Sequence, residues 1–382
     1  MSQALQGDVL VVGAGPAGLA SAYYLERARL SYVVVDRADH VASTWAGLYP
    51  SLRLNTAGFV SHLPGHRLPA RYGIYPMGRQ LYEYLVDYAA RHDFNLRLGV
   101  EVYRVAPDEQ GGWLAETSAG ISHHRAVIVA SGRFSNPFIP PIPGLGSFEA
   151  RWLHARDYHA PEPFAGQRVL VAGSGPSGTD IAVELAPHAA HPVLLSVRSD
   201  IVIARRFPYG LPDSAWHLIS MALPRRWRRP FLNRVLYHGY RDARDLGMRL
   251  APNRTDRKGT SAPVRGHELI DAVRAGAIRP VAGIARVYGR CVELMDGSQH
   301  EIDSLILSTG YRPAIGYLDI EYEVDADGWP RRISDDIEGG STQVLGYPGL
   351  HLVGRFYRGL GPLRNIRLEA RTAVSEICAA LS

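Results

Sequence analysis

Two glycine-rich turns of matching pattern occur in this chain, and their spacing suits the binding of phosphate groups. Each follows an apolar run of strand length and precedes a helix-like stretch, in the order G-x-G-x-x-G. The glycines are Gly13, Gly15 and Gly18 in the first turn and Gly173, Gly175 and Gly178 in the second. In such a turn the first glycine allows a tight bend, the second lets the backbone approach a pyrophosphate, and the third permits close helix–strand packing. Two copies predict two dinucleotides in one chain, an arrangement that suits electron transfer between cofactors.

The residues that follow each turn predict which nucleotide it binds. A second apolar strand ends at Asp36, whose carboxylate accepts hydrogen bonds from a ribose 2′-hydroxyl. Ser196 takes the equivalent position after the second turn, and Arg198 follows it. Loss of the carboxylate and gain of a guanidinium favour a 2′-phosphate. We therefore predict an adenosine with a free ribose hydroxyl in the first site and NADPH in the second. A solvated strand-end aspartate and a surface arginine are the alternatives.

The composition restricts the class of protein and its partners. The chain has 382 residues, 46% of them apolar, which suits two packed domains. Its net charge of +5 suits anionic dinucleotides and does not require nucleic acid as a partner. The two cysteines, Cys291 and Cys378, stand far apart, so a C-x-x-C dithiol relay is excluded. The adjacent His123 and His124 lack cysteine or carboxylate partners at ligand spacing, so no metal site is expected.

Hydropathy and the N-terminal residues give an expectation for location. The residues before the first strand are few and polar, which leaves no room for a cleavable signal. No apolar run approaches the roughly 20 residues that a membrane span needs. We therefore expect a cytoplasmic protein without a membrane span, and the sequence leaves open whether it forms a homodimer.

The elements that position these residues alternate between strands and helices. This order predicts an α/β fold with two Rossmann-like dinucleotide-binding domains. A proline-rich segment, His159–Gly166, is typical of a hinge into the second domain. We predict a discontinuous first domain over residues 1–160 and 302–382, with the second domain inserted as residues 161–301. Residues at about 200–262 break the α/β rhythm and are predicted to form a helical insert.

The order of the motifs resembles that of the class B flavin-containing monooxygenases, closest in layout to the plant YUCCA type and the short bacterial flavin monooxygenases. The family signature F-x-G-x-x-x-H-x-x-x-[FYW] is similar to Phe148–Tyr158, with His154 in place and Ala150 where the family has glycine. As in the family, it stands just before the second glycine-rich turn. Further segments resemble the family's two crossovers and its loop on the flavin ring. They are Val129–Gly132, Leu307–Tyr311, Thr44–Trp45 and Tyr49–Thr56.

The resemblance implies FAD in the first site, NADPH in the second, and a mechanism carried mainly by these cofactors. NADPH would reduce FAD, and a C4a-peroxyflavin formed with O2 would transfer one oxygen atom to a small organic substrate. The substrate classes are amines or sulfides, carbonyl compounds and 2-oxo acids. The protein itself would orient the reactants, exclude water and tune the electrostatics. The alternatives are an NADPH-dependent flavin reductase or dehydrogenase without oxygen insertion, and a non-enzymatic redox sensor.

The resemblance also assigns roles to particular residues. Asn55 is predicted as a catalytic residue that hydrogen-bonds the nicotinamide ribose or the peroxide, with a turn-forming asparagine as the alternative. Trp45 is predicted as a second catalytic residue against the flavin or its ribityl chain, with a core aromatic as the alternative. His154 is expected to join the domains structurally, and the start of the last helix is expected to face the flavin pyrimidine edge. The predicted cofactor-binding residues are Gly13, Gly15, Pro16, Ala17, Gly18, Asp36, Arg37, Thr44, Trp45, Leu54, Val102, Ser131, Gly132, Gly173, Ser174, Gly175, Ser177, Gly178, Arg198, Gly310, Gly354 and Leu363.

Overall fold

The computed structural model describes residues 5–198, 201–236, 246, 263–334, 336, 340–355 and 360–382. The chain divides into two compact units. The first unit comprises Met1–Gly47, Thr56–Asn136 and Arg312–Ser382, and the second comprises Leu48–Asn55 and Pro137–Tyr311. The second unit thus begins earlier and ends later than the predicted second domain, and it includes one short segment from the N-terminal part. The assignment of one nucleotide to each domain stays a prediction.

The bounds of the helices and strands are given in chain order. The strands are β1 (Val9–Val12), β2 (Tyr32–Asp36), β3 (Leu96–Leu98), β4 (Val102–Pro107), β5 (Trp113–Thr117), β6 (Gly120–His124), β7 (Ala126–Val129), β8 (Arg151–His154), β9 (Val169–Ala172), β10 (Val193–Ser196), β11 (Ile203–Ala204), β12 (Val264–Arg265), β13 (Ile278–Val281), β14 (Ile284–Tyr288), β15 (Cys291–Leu294), β16 (Gln299–Glu301), β17 (Ser304–Leu307) and β18 (Leu350–Leu352). The helices are α1 (Pro16–Ala28), α2 (Ser43–Ala46), α3 (Gly78–Ala90), α4 (Pro176–Leu185), α5 (Asp213–Ser220), α6 (Arg225–Leu236), α7 (Glu268–Arg274) and α8 (Pro362–Leu381). Short 3₁₀ turns lie at Ala70–Tyr72, Leu145–Ser147, Ala155–Asp157, Glu162–Phe164 and Pro208–Gly210.

Each unit is built on a five-stranded parallel sheet. The strand order is β18-β7-β1-β2-β3 in the first unit and β13-β10-β9-β17-β8 in the second. All four residues of β1 and of β9 are buried, as expected for parallel strands that are covered on both faces. The order reverses beside β1 and beside β9, and such switch points are where open α/β sheets bind ligands. The predicted pair of Rossmann-like folds is therefore confirmed.

The two units repeat one order of elements beyond the glycine-rich turns. In each, a three-stranded antiparallel sheet precedes the fourth strand of the parallel sheet: β4-β5-β6 before β7, and β14-β15-β16 before β17. The fifth strand differs in origin. In the first unit it is β18, near the end of the chain, whereas in the second it is β8, which precedes β9. Because β8 lies inside the segment Phe148–Tyr158, the family-like signature forms the edge strand of the second sheet.

The cores of the units follow from these sheets. In the first unit, Leu10, Val33, Val127 and Leu350 pack on one face of the sheet with Trp329, which is fully buried. Helix α8 packs along α1 within the same unit. In the second unit the parallel strands and α4 enclose one apolar cluster, and β15 and β17 contribute to another. The chain thus buries a separate core in each unit, as its length and apolar content predict.

The described part of the predicted insert at about 200–262 contains helices and one short strand. It contains β11, which pairs with β12, and the helices α5 and α6. Helix α6 begins at Arg225, so the four arginines between 225 and 229 lie in its first turns. Residues 199–200, 237–245 and 247–262 lie outside the described part. Among the described residues, no helix combines the length and apolarity required to cross a bilayer.

Substitution of Gly18 tests the close packing of helix on strand. A Cβ atom at Gly18 would overlap the carbonyl oxygen of Gly13, whereas a Cβ atom at Gly15 meets nothing within 4 Å. We expect Gly18→Ala to lower the free energy of unfolding by about 3 kcal/mol or more, because backbone must shift to accommodate it. Gly15→Ala is the matched control, and in protein stripped of bound nucleotide it should change the free energy of unfolding by less than about 0.5 kcal/mol. Urea unfolding of both variants measures the difference, and equal stability would contradict the packing described.

Candidate dinucleotide-binding sites

The first glycine-rich turn, which we call the first cradle, is tightly packed at Gly13 and Gly18 and open at Gly15. Gly13 has a φ of 113°, a conformation that side-chain-bearing residues rarely adopt, and a Cβ atom there would lie 2.6 Å from the Ala130 carbonyl oxygen. Gly18 is packed as described above. Only Gly15 faces open space, and α1 begins at the next residue. This geometry lets a pyrophosphate approach the backbone at Gly15 and the N–H groups of the first helical turn.

The second cradle has the same geometry. Gly173 has a φ of 121°, and a Cβ atom there would overlap the carbonyl oxygen of Ser308. A Cβ atom at Gly178 would overlap the carbonyl oxygen of Gly173, whereas Gly175 has nothing within 4 Å. No side chain caps the start of α4 or of α1, so both helix starts offer backbone donors to an anion. The residues present therefore fit a dinucleotide pyrophosphate at each cradle.

Asp36 stabilises the first cradle from the end of β2. Its Oδ2 accepts a hydrogen bond of 2.7 Å from the Ala14 amide, and its Oδ1 accepts one of 2.9 Å from the Ala38 amide. A carboxylate oxygen accepts more than one hydrogen bond, so capacity for a ribose hydroxyl remains. The neighbouring Arg37 is exposed. The predicted contact of Asp36 with a ribose hydroxyl stays a prediction.

The equivalent position of the second cradle has different chemistry. The Ser196 hydroxyl donates a hydrogen bond of 3.0 Å to the Ala282 carbonyl, so it is engaged with backbone. Arg198 is exposed just beyond β10, and its aliphatic stem passes close to Gly283. The second cradle therefore has a serine where the first has a carboxylate, and the predicted contact of Arg198 with a ribose phosphate stays a prediction. Ser174 and Ser177 lie on either side of Gly175 in the same turn.

The predicted first crossover holds two segments of the first unit together. The Ser131 hydroxyl donates to the Ala314 carbonyl at 2.7 Å, and the Ala314 amide donates to the Gly132 carbonyl at 2.9 Å. Ser131 is thus engaged in holding the chain after Arg312 beside β7. Val102 opens β4 and is partly buried against the core of this unit.

The segment with Thr44 and Trp45 begins with a strained residue. Ala42 has a φ of 54°, a conformation that favours glycine, and its amide donates to the Ala14 carbonyl at 3.0 Å. Left-handed backbone costs roughly 1–2 kcal/mol for a residue with a Cβ atom. The alanine therefore retains the path that glycine adopts freely and ties the segment to the first cradle. Trp45 lies partly buried on α2, in the first unit.

Asn55 belongs to the second unit, whereas Trp45 belongs to the first. It ends the segment Leu48–Asn55 and is partly buried, next to the buried Leu54. The ring of Tyr49 in this segment packs edge-to-face on Tyr158, with centroids 5.9 Å apart. The predicted catalytic roles of Asn55 and Trp45 stay predictions.

His154 is a structural residue of the second unit. Its Nδ1 accepts a hydrogen bond of 3.1 Å from the Arg156 amide, so its Nε2 carries the proton and donates to the Gly310 carbonyl at 3.1 Å. Burial lowers the pKa of His154, which keeps the ring neutral. Gly310, with a φ of 89°, also accepts from the Phe138 amide at 2.9 Å. All of these partners lie in the second unit, so none of these hydrogen bonds supports the predicted role of His154 in joining the domains.

A buried ion pair that sequence reasoning missed positions the predicted turn before the last helix. Glu369 on α8 accepts a hydrogen bond of 2.7 Å from the Gly354 amide and pairs with Arg332 at 3.1 Å, with both side chains almost fully buried. Burial raises the pKa of Glu369. Gly354 has a φ of 91°, and Leu363 is buried in the first turn of α8. No motif marks Glu369 or Arg332, because their pairing joins positions that are distant in sequence.

Similarity to known proteins gives this geometry a family. The sequence matches the flavin-binding monooxygenase-like family over residues 7–325. The chain belongs to this family. A relative from Arabidopsis thaliana, named probable indole-3-pyruvate monooxygenase YUCCA8, is 33% identical over 370 residues, which cover 92% of this chain and 84% of the relative.

Solved structures of other flavin monooxygenases have the same fold as this flavin-binding monooxygenase-like protein. The flavin-containing monooxygenase from Stenotrophomonas maltophilia is 26% identical, with a TM-score of 0.73 over 98% of this chain and 99% of that one. Cyclohexanone monooxygenase from Rhodococcus sp. Phi1, solved with NADP+ bound, is 20% identical, with a TM-score of 0.70 over 99% and 84% of the two chains. The predictions of a class B flavin monooxygenase and of a flavin-dependent enzyme are confirmed.

The open glycines allow the two cradles to be separated experimentally. We expect Gly15→Ala to lower the flavin content of the purified protein at least about tenfold, because a methyl group there occupies the space of the pyrophosphate. Gly175→Ala should leave the flavin content unchanged and raise the KM for NADPH by about tenfold or more. Absorbance of bound flavin and steady-state kinetics measure the two effects. A loss of flavin in both variants would contradict the assignment of one nucleotide to each cradle.

Proposed function

We propose that this chain is an NADPH-dependent monooxygenase that binds FAD in the first cradle and NADPH in the second. It inserts one oxygen atom of O2 into a small organic substrate. The observation that supports this most directly is the pair of cradles, each with an open middle glycine, that differ in the group beyond them: Asp36 in one and Arg198 in the other. Membership of the flavin-binding monooxygenase-like family supports the flavin, and a similar fold that holds NADP+ supports the second nucleotide. Bound FAD supplies the redox and oxygen chemistry.

The residues of the chain bind and orient the cofactors in this proposal. Asp36 binds the ribose of FAD, Arg198 binds the 2′-phosphate of NADPH, and the start of α8 places the positive end of its dipole towards the flavin. Asn55 hydrogen-bonds the reacting groups. The neutral, buried His154 donates to backbone and takes no part in proton transfer. The peroxyflavin route expected from the resemblance stays a prediction of this scheme.

Among the predicted substrate classes we favour a 2-oxo acid. Several relatives, including the Arabidopsis protein at 33% identity, are named as monooxygenases of indole-3-pyruvate, which is an aromatic 2-oxo acid. Amines, sulfides and carbonyl compounds are the other classes to test.

Stoichiometry tests the proposed reaction. Purified protein is supplied with NADPH and, in separate reactions, with indole-3-pyruvate, a thioether, a tertiary amine and a cyclic ketone. We expect NADPH, O2 and one of these substrates to be consumed in equal amounts, with an oxygenated product. Hydrogen peroxide as the sole oxygen product with every class would contradict oxygen insertion and support the reductase alternative.

Substitution of Arg198 tests the nucleotide preference. Arg198→Ser removes the guanidinium that we assign to the 2′-phosphate. The loss of a charge-assisted interaction worth about 1.5–3 kcal/mol should raise the KM for NADPH by about 10- to 100-fold and leave the KM for NADH unchanged. Arg274→Ser, at an exposed arginine in the last turn of α7, is the matched control. An equal rise for NADPH and NADH would place Arg198 outside the phosphate site.

A further inference from the structure

Helix α5 is amphipathic, and it turns its polar face towards the interior of the second unit. Asp213, Ser214 and Ser220 are each no more than 3% exposed. On the other side of the helix, Leu218 is 42% exposed and Ile219 is 45% exposed. A surface helix normally buries its apolar stripe and leaves its polar residues in water, so the orientation of α5 is the reverse of the usual one.

Contacts of polar groups hold α5 in this orientation. The carboxylate of Asp213 pairs with the guanidinium of Arg265, and these side chains are only 1% and 8% exposed. The indole N–H of Trp216 donates to the Pro208 carbonyl at 2.8 Å. Separation of a buried ion pair leaves an uncompensated charge, which is strongly unfavourable. The ion pair therefore opposes any rotation of α5 that would bury its apolar face.

The turn from α5 to α6 extends the exposed apolar face. The guanidinium of Arg228 on α6 donates to the carbonyls of Met221 and Leu223, each at 3.0 Å, and so holds the end of α5 against α6. Met221 is 39% exposed, and Trp227 in the first turn of α6 is 57% exposed. We call the exposed apolar residues of this pair of helices the hairpin surface: Leu218, Ile219, Met221 and Trp227.

Exposed apolar side chains are concentrated around this surface. Phe207, Tyr209 and Leu211, in the segment that leads into α5, are also exposed, and the ring of Tyr209 packs edge-to-face on Trp216. With the hairpin surface, they make up seven of the 20 large apolar side chains that are exposed in the described part of the chain. All seven fall within residues 207–227. Such a concentration marks an interaction site, whereas scattered single residues would not.

The charge of the region indicates the chemistry of the partner. Residues 207–236 contain five arginines and a single acidic residue, the buried Asp213. Arg225, Arg226 and Arg229 are exposed around Trp227. A second copy of the same surface in a symmetric dimer would bring arginines against arginines, which electrostatic repulsion opposes. The surface therefore fits a partner that is both anionic and apolar.

We propose that the hairpin surface docks the protein on an anionic lipid bilayer. The apolar side chains enter the boundary between headgroups and acyl chains, and Trp227 lies at the level of the headgroups. The exposed arginines beside it contact the lipid phosphates. The binding is peripheral, since no helix in the described part of the chain is long and apolar enough to span the bilayer.

Co-flotation with lipid vesicles tests the docking with the full-length protein. We expect the protein to float with phosphatidylcholine vesicles that contain about 30% phosphatidylglycerol and to stay in the dense fraction with pure phosphatidylcholine. The affinity should fall at least tenfold between about 0.05 M and about 0.5 M NaCl, because salt screens the attraction of arginine to anionic lipid. Equal binding to neutral vesicles, or no binding to either kind, would overturn the proposal.

Substitutions within the hairpin locate the contact. Leu218→Gln with Ile219→Gln removes the apolar face of α5 with a residue that favours helix, and Arg225→Gln with Arg226→Gln removes two exposed charges. Each double variant should lower the affinity for anionic vesicles at least about tenfold. Because all four side chains are exposed, urea unfolding should match that of the wild type. Wild-type affinity in both variants would contradict the assignment.

Two matched double variants lie away from the hairpin. Ile121→Gln with Met295→Gln removes two apolar side chains that are 62% and 65% exposed. Arg274→Gln with Arg279→Gln removes two exposed charges. Both should bind anionic vesicles as the wild type does. A loss of affinity as large as that of the hairpin variants would show that overall charge and apolarity are responsible, and not the hairpin surface.

The fluorescence of Trp227 reports which part of the molecule enters the lipid. Brominated acyl chains quench a tryptophan that lies in the membrane interface. We expect such vesicles to quench the wild type, and Trp227→Phe to lose more than about half of this quenching while it keeps its affinity within about threefold, because phenylalanine remains apolar and aromatic. Quenching that the substitution leaves unchanged would place the membrane contact elsewhere in the chain.

The oligomeric state separates a lipid surface from a second copy of the chain. In sedimentation equilibrium we expect the Leu218→Gln, Ile219→Gln variant to have the same molar mass as the wild type. A wild-type dimer that this variant dissociates would overturn the proposal and assign the hairpin surface to a second copy. Vesicle binding requires neither substrate nor NADPH, so its outcome is independent of the proposed function.

Discussion

The structure depends on the direct packing of a helix start against a strand end, without side chains between them. At Gly13 and Gly18, and again at Gly173 and Gly178, backbone lies where any Cβ atom would collide. This contact brings the N–H groups of the first helical turn to the carboxyl edge of the sheet. It also leaves the middle glycine with open space in front of it, so the same constraint that packs the unit creates its ligand site.

The two units share the architecture of their cradles, and near the cradles they differ in a few side chains. Four strands of each sheet follow the same order, and the same small antiparallel sheet precedes the fourth strand. The Asp36 carboxylate accepts hydrogen bonds from two backbone amides, whereas the Ser196 hydroxyl donates to the Ala282 carbonyl. The next charged residue along the chain after Ser196 is Arg198. The fold thus provides twice a cradle that fits a pyrophosphate, and in our proposal the local side chains decide which ribose each cradle accepts.

Buried polar groups fix the loops that the sheets alone do not position. The ring of His154 donates a hydrogen bond to the Gly310 carbonyl, and the carboxylate of Glu369 accepts one from the Gly354 amide. Each of these polar groups is costly to bury unless its partner is in place, so the loop has one favourable arrangement. Loops around bound cofactors need such definition, because loop backbone otherwise has little apolar packing to hold it.

The sequence by itself determined the features that depend on neighbouring residues. The spacing of the glycines predicted both cradles, and apolar runs predicted the central parallel strands, because turn geometry and burial are set within ten or so residues. Only the tertiary structure decided the features that join distant positions. It placed Leu48–Asn55 with the second unit, made Phe148–Tyr158 an edge strand, and paired Arg332 with Glu369. These depend on which surfaces meet after the sheets form, and no local pattern of residues encodes that.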